Sequence, residues 1–146
     1  MRVELFGNGD ARVREALAVR FAVFVDEQHV PPEIEIDEHD ELDDSETVHA
    51  IVRHGETAVA AGRFYRLDAE TAQIGRMAVQ REARRSGAGR AMLDALLDEA
   101  WRRGYRRARL SAQTHAIAFY EKAGFAVFGG VYDDAGIPHR DMEREL

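Results

Sequence analysis

Cysteine is absent from the 146 residues, which excludes disulfides, thiolate metal ligands and a cysteine nucleophile. No apolar run approaches the length needed to cross a bilayer. The opening stretch, Met1-Arg2-Val3-Glu4-Leu5-Phe6-Gly7-Asn8, carries an early glutamate and no apolar block, unlike a secretory signal. Repeats, low-complexity tracts and Pro/Gly/Ser linkers are missing too. One domain over residues 1–146 is expected, soluble and cytoplasmic, with no membrane partner. The six histidines show no pair at metal-ligand spacing, so no metal is expected. Basic charge is in deficit: the net charge of −7 argues against nucleic acid as a partner. The deficit is local. Residues 26–46 hold many carboxylates and no Lys or Arg, whereas arginine dominates residues 81–109. Such a chain presents a cation-seeking and an anion-seeking surface, or two solvated faces.

What is present is the balance of a globular protein, 45% hydrophobic and 32% charged. Val3 and Leu5 begin a short strand that Gly7-Asn8-Gly9 turns. Asp10 stands as an N-cap, and Val13, Leu17, Phe21 and Phe24 recur at helical spacing to about Val25. Residues 28–45, with Pro31-Pro32 and the acidic run, read as loop with one short helix. Val48, Ala50 and Val52 alternate in a strand; His54-Gly55-Glu56 turns into a second over 57–67, and a third covers 73–79. Met92, Leu93, Leu96, Leu97, Ala100 and Trp101 form the apolar stripe of a helix that Gly104 stops. On its wet side Arg90 with Asp94, Asp98 with Arg102 and Glu99 with Arg103 stand four apart. Ala108, Leu110 and Ala112 make a strand, 116–123 a short helix closed by Gly124, and 125–132 with 137–143 a last strand pair around Asp133-Asp134-Ala135-Gly136. The order β-α-β-β-β-α-β-α-β-β predicts an α/β (α+β layered) domain, helices on a mixed sheet.

Between the third strand and the strong helix lies Arg81-Glu82-Ala83-Arg84-Arg85-Ser86-Gly87-Ala88-Gly89. Gly87 and Gly89 lack Cβ atoms, which admits a ligand to the backbone. The first N–H groups of a helix have no intrahelical partner and sit at the positive end of its dipole. A pyrophosphate satisfies both needs; Arg84, Arg85 and Arg90 add charge-assisted bonds, and Ser86 either caps the helix or binds a phosphate oxygen. The competing reading is a glycine turn that only starts a helix. A Walker-type loop and a dinucleotide fingerprint are excluded, since Gly-Lys-[Ser/Thr] and a third glycine are lacking.

Arg84-x-x-Gly87-x-Gly89 resembles the Q/R-x-x-G-x-G/A motif of the GNAT superfamily of acyl-CoA N-acyltransferases. Residues 113–125 resemble that family's N-x-x-A-x-x-x-Y-x-x-x-G-F segment through Ala116, Tyr120, Gly124 and Phe125, with Gln113 in place of asparagine. The match spans about residues 73–128. Arg20-Phe21-Ala22-Val23-Phe24-Val25-Asp26-Glu27-Gln28, then Glu35-Ile36-Asp37 and Asp40, with Gly136-Ile137-Pro138-His139 and Met142, is similar to the ElaA-like subgroup.

The resemblance implies a central mixed sheet of six to seven strands and an N-acetyltransferase that uses acetyl-CoA as acyl donor without a metal. Its pantetheine would lie between two splayed strands, along Met77, Ala78 and Val79 and beside residues 109–112, with Gln113 nearby and Gly75 marking the bulge that parts them. Its diphosphate would fall on Arg84, Arg85, Ser86, Gly87, Ala88, Gly89 and Arg90. Tyr120 would protonate the departing thiolate as general acid. Many family members carry a basic carboxylate on the strand before the motif; here that strand offers Arg76, and Glu35, Asp37, His49 and His139 are the candidate bases. The acceptor is a primary amine, small or on a protein, and the acidic run favours a cationic one. Pairing through sheet edges, common in the family, admits a homodimer. Two alternatives share the scaffold: an acyltransferase like the acyl-homoserine-lactone synthases, and a non-catalytic acyl-CoA-binding module.

Overall fold

The structure, a computed structural model, describes residues 1–41 and 46–146. Seven strands form the mixed sheet that the order of elements predicts: β1 (Arg2–Gly7), β2 (Val48–His54), β3 (Thr57–Arg66), β4 (Thr71–Val79), β5 (Arg107–Gln113), β6 (Ala126–Asp134) and β7 (Ile137–Glu145). Their spatial order is β1-β2-β3-β4-β5-β7-β6, and only β4 and β5 run parallel. One face is covered by α1 (Val13–Arg20), whose Ala16 and Val19 pack with Ile51, Ala61 and Ala78. Short helices α2 (Pro32–Glu35) and α3 (Glu38–Glu41) follow it. The other face carries α4 (Ala88–Arg102) and α5 (Ile117–Lys122), which bury Met92, Leu93, Leu96 and Tyr120 against Ala50, Phe64, Ile74 and Leu110. With both faces covered, the middle of β2 is buried at every residue from Val48 to Val52.

Several local expectations shift. Asp10 accepts the Arg12 N–H at 2.9 Å, but the helix starts only at Val13, so Asp10 caps the preceding turn. The first helix does not end at Val25; from Phe21 it widens into a π-helical segment, Phe21–Glu27. Its buried face is Ala16, Val19, Arg20 and Val23, while Leu17, Phe21 and Phe24 are only partly buried. An arginine inside the stripe defeats a search for apolar spacing. Trp101 is 67% exposed in the last turn of α4 and leaves the stripe. On the wet side of α4, Arg90 pairs with Asp94 and Arg103 with Glu99, but Arg102 turns to Glu99 rather than Asp98.

The bulge also moves. Ala61 pairs with Ala78 and Arg63 with Gly75, so Arg76 and Met77 together oppose Gly62. Arg76 takes the extra residue's strain, with φ +53°. The glycine that permits the bulge is Gly62, where a Cβ would stand 2.6 Å from Met77 Sδ. Just beyond, the sheet splits. β4 and β5 pair only over Thr71 to Ile74 and Arg107 to Leu110, although β5 stays paired with β7 as far as Gln113 and His139.

Candidate active site

Where β4 and β5 part, a cleft of about 860 Å³ opens. Its walls are the free ends of the two strands, the π segment, α2, and side chains from α5 and β7. Met77, Ala78, Val79, Arg84, Gln113, Tyr120, Glu35, Asp37 and His139 all line it; His49 does not.

The arginine-glycine loop forms a single turn of 3-10 helix at Arg81–Ala83 and then enters α4. The two glycines do different work. Gly87 is the residue before the helix and adopts φ +90°, a left-handed conformation that costs a side chain. A Cβ on Gly89 would stand in ordinary van der Waals contact with Val79 Cγ2 at 3.4 Å and the Phe119 ring at 3.5 Å, where α4 packs on β4 and α5. Ser86, one residue before the Gly87 N-cap, accepts the Ala88 N–H at 3.3 Å through its hydroxyl and donates to the Ala83 carbonyl. Ala88 is buried in the core. Arg90 pairs with Asp94 at 3.0 Å, and Arg85, at φ +66°, has no acidic partner among the described residues. Residues 85–90 lie outside the cleft lining, at the loop and first turn of α4.

Tyr120 is held by edge-to-face contacts with Phe119 and Phe125, at centroid separations of 5.0 and 6.0 Å. Its hydroxyl has no hydrogen-bond partner among the described residues. Burial pushes the phenol above its ordinary pKa, so it keeps its proton. His139 is the cross-strand neighbour of Gln113. Its Nδ1 lies 2.7 Å from the Ile137 carbonyl oxygen, which can only accept, so Nδ1 carries the proton and Nε2 is left with a lone pair.

Glu35 and Asp37 enter the cleft as members of a buried ionic cluster. Arg20, 1% exposed, donates Nε to Glu35 at 3.0 Å and Nη1 and Nη2 to Asp40 at 2.7 and 2.9 Å. Arg63 bonds Asp37 at 2.7 and 2.6 Å and Asp40 at 2.8 Å. Arg76, turned by the bulge, reaches Glu35 at 3.2 Å and Asp37 at 3.3 Å. Three carboxylates thus face three guanidinium groups. Burial raises the Glu35 carboxyl above its ordinary value despite the pull of Arg76 and Arg20. The same burial acts on Asp37 and Asp40, but the arginine bonds outweigh it and both titrate low. The inward-facing carboxylates of the acidic run are therefore neutralised by bases from α1, β3 and β4, which weakens the expectation of a cation-seeking surface. Asp43 and Asp44 of that run lie outside the described residues.

His49 is displaced from the chemistry. It is 1% exposed in β2 and stacks on Phe6 at 5.8 Å. Asn8 donates its amide N–H to the His39 carbonyl, so its Oδ1 faces His49 Nε2 at 2.7 Å and that nitrogen must donate. Burial lowers the ring pKa to about 4. A neutral ring committed to Asn8 outside the cleft is not positioned as a general base.

Sequence reasoning missed Glu27 and Gln28, which line the cleft from the end of the π segment. Glu27 bonds Arg84 through both carboxylate oxygens at 2.7 Å, and the Gln28 and Gln113 amides exchange bonds of 2.8 and 3.2 Å. Both stand in the segment that carried the subgroup resemblance, but nothing local to it points at Arg84 or Gln113.

This geometry agrees with the comparisons. Residues 12–125 match the model of the acetyltransferase (GNAT) family. The uncharacterized N-acetyltransferase YjcF of Bacillus subtilis is 36% identical over 142 residues, covering 97% of this chain and 98% of that one. ElaA of Escherichia coli is 32% identical over 133 residues, 89% of this chain and 85% of its own. The crystal structure of Escherichia coli ElaA superposes with a TM-score of 0.87 at 28% identity over 99% of both chains, and an acyl-CoA N-acyltransferase from Pseudomonas aeruginosa with 0.86 at 29% over 98% of both. An aminoglycoside 6'-N-acetyltransferase complexed with coenzyme A shares the fold, with a TM-score of 0.79 at 15% identity. From the parted strands, the arginine-glycine turn and these likenesses together, the chain belongs to the GNAT family of acetyltransferases.

Proposed function

We propose that the chain transfers an acetyl group from acetyl-CoA to a primary amine, with Tyr120 as general acid and His139 as general base. The observation that carries this reading is that Tyr120 and His139 both line the cleft between β4 and β5, and that the Tyr120 hydroxyl and His139 Nε2 have no hydrogen-bond partner among the described residues. The backbone of β4 beyond Ile74 is free of β5, which suits the amides of a pantetheine arm. The first turn of α4 with Arg84 and Arg85 suits a diphosphate. Acetyl-CoA supplies the acyl group as a thioester.

His139 Nε2 takes the proton that an ammonium acceptor must lose before its nitrogen attacks the carbonyl carbon. Backbone N–H groups of the bulged part of β4 hold the carbonyl oxygen as it gains charge. Tyr120 meets the sulfur as the C–S bond breaks. Its raised pKa keeps the phenol protonated until then; its proton passes to the thiolate, itself disfavoured by burial, and the second proton that the nitrogen sheds on becoming an amide restores the phenol. Glu35, engaged by Arg20 and Arg76, holds the α2 wall rather than the base position.

Thiol release from acetyl-CoA across a panel of primary amines tests the reading. Wild type is expected to acetylate at least one amine. Tyr120→Phe is expected to lower kcat by about 10²-fold and His139→Asn by about 10²–10⁴-fold, the range of general acid–base catalysis. Because the Tyr120 hydroxyl has no hydrogen-bond partner among the described residues, Tyr120→Phe is expected to leave the thermal midpoint unchanged. A kcat within about twofold of wild type, outside that range, removes the acid role. Binding of acetyl-CoA without transfer to any amine leaves a coenzyme-binding module in place of an enzyme.

A further inference from the structure

We infer that Glu27 and Gln28 are an internal stand-in for the coenzyme, occupying its binding groups until acyl-CoA displaces them. The inference rests on the coenzyme reading given above. Glu27 offers Arg84 a planar, bidentate carboxylate, with Oε1 and Oε2 each 2.7 Å from a guanidinium nitrogen, and Arg81 Nη2 lies 3.6 Å from Oε2. Carboxylate and phosphate satisfy the guanidinium fork in the same way. The next residue does the same for the amide chemistry. Gln28 Nε2 donates to Gln113 Oε1 at 3.2 Å, and Gln113 Nε2 returns a bond to Gln28 Oε1 at 2.8 Å. A pantetheine arm carries amides of that kind. Arg84 also donates Nε to the Val79 carbonyl at 3.0 Å, on the part of β4 that β5 leaves free.

Arg84, the Val79 carbonyl and Gln113 are thus all engaged within the chain, two of them directly by one dipeptide. That dipeptide sits at the exit of the π segment, where Gln28 N–H bonds the Val23 carbonyl at 3.0 Å and Val30 N–H bonds the Phe24 carbonyl at 2.8 Å. Single π turns are rare and frequent at functional sites, since the wide turn is less stable than an α turn. Moving this one turn withdraws both side chains together. The Glu27–Arg84 pair is partly exposed, with side-chain accessibilities of 26% and 38%, so the competition it offers is modest and an incoming dianion can win it.

Calorimetric titration of the intact chain with acetyl-CoA at low ionic strength tests this. Removing a stand-in tightens binding, whereas removing a support weakens it. Glu27→Gln is expected to lower Kd about two- to fivefold, the worth of a partly exposed ion pair. Gln28→Ala is expected to lower it about two- to tenfold, the worth of releasing the Gln113 amide N–H, while Gln113 Oε1 stays 2.6 Å from His115 Nε2. Glu99→Gln removes the same single charge from the Arg102 and Arg103 pairs on α4 and is expected to leave Kd unchanged. Unchanged or weaker binding in both Glu27→Gln and Gln28→Ala overturns the inference and leaves the coenzyme reading standing. Equal tightening in Glu99→Gln also overturns it, reducing the effect to net charge. If neither wild type nor any variant binds acetyl-CoA, the coenzyme reading itself falls and this inference with it. Thermal unfolding checks each variant; should Glu27→Gln fail to fold, Gln28→Ala decides alone.

Discussion

At His49, burial has a consequence that pH can read. The ring titrates at about 4 in the folded chain, against about 6.5 for an ordinary histidine. Between those values the unfolded state binds more protons, so stability rises with pH there. The contribution is complete above about pH 6.5 and is lost as pH falls toward 4. His49→Gln removes the titrating group. The stability of wild type relative to this variant, from urea unfolding, is therefore expected to fall by on the order of 2–3 kcal/mol between pH 7 and pH 4.5. A difference that does not change with pH would mean the ring is not held neutral. Six histidines look alike in the sequence; only their neighbours distinguish His49, locked to Asn8, from His139, whose Nε2 is free.

Elements join at the Arg76–Met77 bulge, and Gly62 is the residue that allows it. A Cβ at Gly62 would meet Met77 Sδ at 2.6 Å and Met92 Sδ at 3.3 Å, so one side chain must move. Gly62→Ala is expected to cost about 1 kcal/mol, the low end for overpacking because thioethers are flexible. It is also expected to weaken acetyl-CoA binding by shifting the free end of β4. Adding Met77→Ala relieves the clash, so the double variant should recover part of the stability lost in urea unfolding. A double variant less stable than the sum of the singles would place the strain elsewhere. The helix of residues 88–102 was legible from its stripe and its Gly104 stop, since local periodicity records which face is buried. The bulge was not. Arg76, not a glycine, holds the positive φ, and the need for it arises on the facing strand.

Across the whole molecule, the sheet is two half-sheets, β1 to β4 and β5 to β6, joined at β4 and β5 by the register from Thr71 and Arg107 to Ile74 and Leu110. A ligand lying between the free strand ends ties the halves together. Acetyl-CoA at about 100 times Kd is expected to stabilise the chain by about 2.7 kcal/mol. Hydrogen exchange is expected to slow most at residues 75–79 and 111–113. Uniform protection over the molecule, or protection confined to α1, would place the ligand outside the split. Among the described residues no helix is long and apolar enough to cross a membrane.

The sequence by itself determined the layered α/β order, most of the apolar stripe of the helix over residues 88–102 and the arginine-glycine turn, because these follow from local spacing; Tyr120 stood out only through the family resemblance. The tertiary structure decided the rest, because it depends on which distant segments meet. The acidic stretch contains no base of its own, yet Arg20, Arg63 and Arg76 converge on it from three other elements and cancel its inward charge. Arg84, which the sequence offers as a candidate phosphate ligand, is held by Glu27, 57 residues earlier in the chain. Gln113 is held by Gln28 across 85 residues. Charge and hydrogen-bonding partners are properties of space, and a linear pattern records them only where the chain turns back on itself within a few residues.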